Sequence, residues 1–478
     1  MKRRLMFEKF SAIRQRCSVI VFICSILCST VHISAQTNSR NASEKNASDS
    51  RRIYIDTAID AARWIVSTAT ETPQGRAWPD DALGAKSIGT NLADGVAGKV
   101  IFFLEMNRAT GDEKYLTDAR TGADYLLSTI PQQLDLSTFP PATSFYYGLG
   151  GVAFALHNIY KATGAGKYRA GALRCVELIH KHARKEGGGV GWTHYNDLLF
   201  GNAGTGLFLL FAHKEMGHAP SRDLALQVGR RLLEKAVKEN GGSNWKFRDD
   251  RDFILPNFSH GAAGIGYFLA TLYMDTRHKE FLEGAISAAS YLKSVAKAEG
   301  GVFLVPYGWP NEEWRDYYDI GWAHGPAGTA RLFYRLWQIT KDRSWMEIVK
   351  ACARGIKQSG LPETPESGFG DEPFKLDRRF GAASVADFFL NLYSETGDKE
   401  HMDFARQIVE DILKKAKRDD SGARWVFPRY AFMQGAGTPA AFTGYFYGAV
   451  GYGMLMLEFN FVARDAKWRI RFPDDPFG

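Results

Sequence analysis

The chain has 478 residues, 45% of them apolar and 13% aromatic, which is enough to bury a large core and excludes a disordered or fibrous protein. Its formal charge of +7 would suit a nucleic-acid binder, but the first 36 residues hold six Lys/Arg and one Glu, leaving only +2 for the rest. The basicity belongs to the N-terminus, and nucleic acid is excluded as a partner.

In chain order, basic residues up to Arg16 precede an apolar run from Cys17 to Val31 and then Ile33-Ser34-Ala35, with a small residue where cleavage is expected. Residues 1–36 read as a secretory signal peptide, which predicts a secreted or periplasmic protein with no membrane contact beyond that segment. The alternative is an uncleaved N-terminal anchor, since the run is at the long end for a signal. Cys28, in SILCST, makes a poor lipobox. Residues 37–52 are small and polar without periodicity, a flexible linker, and the folded domain is expected over 53–478. Its two cysteines, Cys175 and Cys352, sit inside amphipathic helix patterns and read as buried small hydrophobes.

A glycine-headed turn followed by an apolar helix recurs at intervals of roughly 53 to 67 residues. The copies are DGVAG at Asp94, YGLGG at Tyr147, FGNAG at Phe200, HGAAG at His260, HGPAG at His324, FGAAS at Phe380 and YGAVG at Tyr447. Each opens a helix that is apolar on nearly every side, as in GVAGKVIFFLEMNRATG, and a turn such as TGDEKY then leads to a more amphipathic helix. A helical hairpin cannot bury its apolar face alone. Seven that each bury it on the next close most economically into a ring, so the fold class is all-α, an (α/α) toroid or barrel of seven helical-hairpin repeats.

In such a ring the return loops, rich in Trp, Tyr, Gly and Pro, build one mouth. The residue before each glycine should face the axis, which predicts a ring of Asp94, Tyr147, Phe200, His260, His324, Phe380 and Tyr447. The helix N-termini meeting there are expected to carry unpaired N–H groups and to favour an anion or a polarised carbonyl.

The turns SHGAAG and GWAHGPAG, within seven glycine-headed hairpins over about residues 53–460, resemble the LanC-like (lanthionine synthetase C-like) family. The resemblance implies a barrel holding a zinc ion on a Cys in the fifth turn and a Cys-His pair at the sixth, where the metal activates a thiol for addition to a dehydroamino acid. Here Ala323 stands in the fifth turn, and Arg379 and Phe380 stand in the sixth. All three ligands are missing, so no cofactor is expected; a zinc site on His260, His324 and a loop carboxylate is the alternative. The resemblance also implies acid/base roles for His260 and for Asp197, four residues before Gly201.

Each of these residues has a plainer reading. His260, His324 and Asp94 would serve equally as capping residues of packed turns, while two histidines at equivalent positions of adjacent repeats suit general acid and base. Glu312, Glu313, Asp316, Asp319, Asp371 and Glu372 read as solvated loop charges, unless one pair faces the cavity as the carboxylates of a glycosidase. Trp192, Trp309, Trp314, Trp322 and Trp425 either roof the barrel or line the pocket, Trp322 directly abutting a turn. No P-loop, dinucleotide fingerprint, HExxH or serine elbow is present.

Three functions fit: a LanC-like peptide-modifying or thiol-addition enzyme using Asp197, His260 and His324 as catalytic residues, a carbohydrate-active toroid, or a non-catalytic binding barrel. The partner in the mouth is a peptide or a carbohydrate.

Overall fold

The computed structural model describes residues 52–84, 87–310, 314–362, 376–430, 433–462 and 470–477. The signal and linker segments, with Glu312, Glu313, Asp371 and Glu372, lie outside the described residues, apart from Arg52 at the linker's end. Two units are distinguished: Met1–Ile55, of which residues 52–55 are described and helical, and Asp56–Gly478, which carries everything below.

The second unit is an (α/α) barrel. Its inner helices are α2 (Val96–Thr110), α4 (Leu149–Thr163), α6 (Asn202–Met216), α8 (Ala262–Thr276), α10 (Pro326–Thr340), α12 (Ala382–Thr396) and α14 (Ala449–Val462). Each packs on the next, and α14 packs on α2 to close the ring. Their apolar residues point both inward and outward because each helix is buried on both sides; α14 is buried without interruption from Ala449 to Phe461.

The outer layer comprises α1 (residues 56–67), α3 (Glu113–Thr129), α5 (Gly166–Lys181), α7 (Pro220–Glu234), α9 (Lys279–Val295), α11 (Arg343–Lys357) and α13 (Lys399–Lys415). Four of the turns between inner and outer helices are left-handed C-caps, with Gly111, Gly164, Gly217 and Gly397 at φ 69° to 71°. The seventh pair departs from the expected chain order. The outer partner of α14 is α1, from the opposite end of the domain, and a methyl group at Gly453 of α14 would lie 3.6 Å from Ala61.

The fold is not helical throughout, because short antiparallel hairpins follow four outer helices. They are β1 (Thr70–Thr72) with β2 (Gly75–Ala77), β3 (Arg184–Glu186) with β4 (Gly189–Gly191), β5 (Val237–Glu239) with β6 (Gly242–Asn244), and β7 (Lys417–Asp419) with β8 (Gly422–Arg424). These hairpins lie so close to the next outer helix that a β-carbon at Gly242 would sit 2.2 Å from the Tyr291 amide nitrogen. After three of them an indole is driven back under the preceding helix. Trp192 Nε1 donates to Ile179 O at 2.7 Å, Trp245 to Leu232 O at 2.6 Å and Trp425 to Ile412 O at 2.8 Å. Trp192 and Trp425 therefore pin the scaffold, and neither is free to stack on a ligand.

The C-terminal residues 470–477 enter the bore between the inner helices. Ile470 N donates to Glu105 Oε1 at 2.6 Å, and the Phe472 ring lies 4.9 Å from Tyr445 and 5.3 Å from Phe154. Asp474 Oδ2 accepts from Tyr146 Oη at 3.0 Å and from Trp322 Nε1 at 3.1 Å, while its carbonyl accepts from Arg331 at 3.0 Å.

Candidate functional site

The turns that begin the inner helices are tied to one another by backbone hydrogen bonds. Ala93 N donates to Tyr146 O, Leu199 N to Ser259 O, Ser259 N to Ala323 O, Ala323 N to Arg379 O, and Phe446 N to Ala93 O, at 2.8 to 3.0 Å. This belt holds the residue before each glycine at one level of the barrel. The expected ring forms there as a chain of ring-to-ring contacts. Centroids lie 5.3 Å apart for Tyr147–Phe200, 5.4 Å for Phe200–His260, 5.1 Å for His260–His324, 5.8 Å for His324–Phe380 and 6.3 Å for Phe380–Tyr447. Asp94 completes the circle, its charge acting on Tyr147, Tyr447 and Arg379.

Trp322 does not join this ring. Three residues before its glycine, it points into the bore, where it lines a cavity of about 40 Å³ with Tyr146, Arg331, Arg378 and Asp474. The helix N-termini also differ from expectation, because the loop before each turn folds back to cover them. Leu149 N donates to Ala142 O, Asn202 N to Tyr195 O, Ala263 N to Pro256 O, Ala327 N to Ile320 O, Ala383 N to Leu376 O and Ala449 N to Phe442 O. Those amides are paired, so any anion affinity at this level rests on a side chain instead.

That side chain is Arg379. Its guanidinium fills the centre of the ring, 7% exposed. Nη1 donates to Tyr447 Oη at 2.6 Å and to Tyr147 Oη at 3.4 Å, Nη2 approaches His260 Nε2 at 3.5 Å, and the guanidinium lies 4.7 Å over Phe380 and 5.8 Å over Phe200. From the sequence Arg379 was legible only as a lost metal ligand.

Asp197 and His260 are brought together from adjacent repeats. Asp197 Oδ1 accepts from Phe200 N at 2.9 Å, and Oδ2 meets His260 Nδ1 at 2.5 Å. The first bond is the local job of this position in other repeats too: Asn91 Oδ1 accepts from Asp94 N at 2.8 Å, and Asp377 Oδ1 from Phe380 N at 2.7 Å. The second bond belongs to this repeat. Burial, helped by the Arg379 cation, pushes the His260 pKa well below the ordinary histidine range, so the ring is neutral. Burial raises Asp197, while the amides of Phe200 and Gly201 and the Arg379 charge oppose the rise. A neutral imidazole that donates from Nδ1 to Asp197 and accepts at Nε2 from Arg379 satisfies every atom of this chain of contacts.

His324 is stacked on Phe380 at an interplanar angle of 3°, with Tyr307 at 4.2 Å on another side. Of the loop acids, Asp316 is exposed, whereas Asp319 is buried and its Oδ1 accepts from Ile320 N at 2.7 Å. Trp314 packs on Phe253 at 4.8 Å.

Two arrangements had weaker sequence signals. Asp377 Oδ2 accepts from the Tyr430 hydroxyl of the last return loop. Lys99, a lone cation in an apolar helix run, is fully buried with Nζ 2.5 Å from Asp94 O. Burial lowers it to about 8, opposed by Asp80 and Asp94. Asp94 itself is raised to about 7 by burial and by Asp80, against Lys99 and Arg379, and its buried Oδ1 has no hydrogen-bond partner among the described residues.

The zinc ligand set implied by the resemblance does not fit. Ala323 offers a methyl group, Phe380 a phenyl ring, and Arg379 a guanidinium that stays protonated and repels a cation. Among the described residues no group of three or more His, Cys, Asp or Glu is arranged to hold a metal ion.

Compared with known proteins, residues 86–461 match the family described as lanthionine synthetase C-like protein. LanC-like protein GCL1 of Arabidopsis thaliana is 25% identical over 252 residues, a match covering 51% of this chain and only about half (52%) of that relative. Among solved structures, nisin cyclase superposes with a TM-score of 0.57 at 16% identity, covering 78% of this chain and 89% of the cyclase, a likeness of fold. An alpha-1,6-mannanase of Salegentibacter in complex with alpha-1,6-mannotriose reaches a TM-score of 0.46 at 13% identity, covering 86% of this chain and 99% of the mannanase.

Proposed function

This chain belongs to the lanthionine synthetase C-like family, and we propose that it adds a nucleophile to an electrophilic alkene of a peptide ligand by acid–base chemistry, without zinc. The observation that carries this reading is the Asp197–His260 pair opening onto Arg379 at the centre of the ring. Asp197 fixes the tautomer by accepting from Nδ1, which leaves the Nε2 lone pair as the base.

In the proposed step, Nε2 takes the proton of a thiol. The sulfur bonds to the alkene β-carbon, and the π electrons move through the α-carbon to the adjoining carbonyl as an enolate. The Arg379 cation and the Tyr147 and Tyr447 hydroxyls stabilise that charge, and His260 returns its proton to the α-carbon. A neutral His260 suits the first transfer, and Arg379 supplies in part the charge that a metal would. His324 and Phe380 supply the wall beside the reacting group.

The test is a dehydroalanine-containing peptide with a small thiol, followed by mass spectrometry with and without a chelator. The expected result is addition that ignores the chelator and falls at least about 100-fold in His260→Ala and in Asp197→Asn. Addition untouched by His260→Ala, or abolished by the chelator, overturns the reading. Cleavage of oligosaccharides with no thiol addition would replace it with the carbohydrate-active one. We also propose that residues 1–36 direct export, which a mature N-terminus near residue 37, read from secreted protein, would support.

A further inference from the structure

Most buried arginines of this barrel have a carboxylate partner. Arg231 pairs with Glu186 at 2.5 Å and Asp249 at 2.6 Å, Arg331 with Asp387 at 3.2 Å, and Arg378 with Glu458 at 3.0 Å. Arg379 is the exception. It forms no ion pair with any described carboxylate, its hydrogen-bond partners are two phenols and a neutral imidazole, and its buried Nε has no partner among the described residues. A desolvated cation with no directly bonded carboxylate among the described residues is costly, and this one stands at the hub of the ring rather than in the scaffold.

We infer that the directly bonded partner of this cation is a carboxylate of the ligand, bound side-on across Nε and Nη2 of Arg379. The end-on edge is engaged, since Nη1 is held by Tyr447 at 2.6 Å, whereas Nη2 has only its long 3.5 Å contact to His260. A planar two-oxygen anion matches that free edge. A dianion such as phosphate does not suit the charge balance. Arg379 is the one fixed cation among the ring side chains, and Asp94 and Asp197 already act on it or beside it.

A carboxylate seated there takes Nη2 away from His260 and offsets part of the cation's field at the imidazole, while Nη1 stays on the Tyr447 hydroxyl on the enolate's side. Nε2 is then released as a base only when the ligand is in place. This second step rests on the reading of His260 as the base; the carboxylate site itself does not. The groups facing His260 are Asp197, Arg379, His324, Phe200 and Phe247. Of these, Arg379 is the one whose field at the imidazole the ligand would offset.

The experiment is an NMR titration of the whole folded chain with N-acetylglycine, with N-acetylglycinamide as its uncharged twin, and with inorganic phosphate. The Arg379 Nε–H signal is assigned by its loss in Arg379→Lys. N-acetylglycine is expected to shift that signal and to raise the pH at which His260 titrates, while the amide does neither and phosphate binds at least about tenfold more weakly. Arg379→Lys should weaken N-acetylglycine binding about tenfold, and Arg379→Gln should lose it. Equal binding of acid and amide, tighter binding of phosphate, or unchanged binding in Arg379→Gln overturns the proposal. The acid–amide comparison in the unaltered chain decides even if Arg379→Gln fails to fold. His260→Ala separates the two readings: it should keep N-acetylglycine binding while losing addition, so intact addition in that variant sinks the catalytic reading and leaves the carboxylate site standing.

Discussion

His260 of the fourth repeat donates from Nδ1 to Asp197 of the third across 2.5 Å, while the other oxygen of Asp197 holds the Phe200 amide. One carboxylate thus builds its own turn and orients its neighbour's imidazole. Asp197→Asn retains Oδ1 as the turn acceptor but presents an amide to Nδ1, so the folded chain should survive with addition activity reduced about 100-fold or more. Asp197→Ala also leaves a buried amide unpaired, and urea unfolding should show it about 1–3 kcal/mol less stable than Asp197→Asn.

Asp94 makes stability depend on pH in a defined direction. Its folded pKa of about 7 lies above the ordinary carboxyl value of 3.8, so its contribution is fully present below pH 4 and is lost as pH rises through 7. Lys99, at about 8, stays protonated in both states over most of that window and adds little slope. Asp94→Asn should therefore raise the melting temperature at pH 7.5, with the gain shrinking to nothing by pH 4. A gain that persists unchanged at pH 4 would show that the carboxyl is not titrating.

The indole pins are expected to matter more than their loop positions suggest. Trp245 is fully buried and donates to Leu232 O at 2.6 Å. Trp245→Phe leaves that carbonyl unpaired and should cost about 1–3 kcal/mol in denaturant unfolding.

The C-terminal segment should behave as part of the core. Asp474→Ala strips partners from Tyr146 and Trp322 and removes a carboxylate 3.9 Å from the buried Arg331, and calorimetry should register a loss of about 3–5 kcal/mol.

Elemental analysis of the purified chain should find far less than one zinc per molecule. Stoichiometric zinc lost in His260→Ala or His324→Ala would return the chemistry to a metal.

The repeat was legible because glycine-headed turns and all-round apolar helices are local requirements of a buried inner layer, written into Asp94–Gly95 and its six counterparts. The ring of residues before those glycines followed from the same periodicity, since one turn geometry repeated seven times aims one position at the axis. The residues standing in the fifth and sixth turns, Ala323, Arg379 and Phe380, were also readable, position by position. What Arg379 does there was not, because a guanidinium's role depends on its neighbours, and those of Arg379 come from repeats as far apart as Tyr147 and Tyr447. Pairing of the inner-helix amides, the seat of residues 470–477 in the bore and the union of α1 with α14 were likewise decided only by the closed tertiary structure. Periodicity specifies what each repeat buries; closure of the ring decides which distant segments meet.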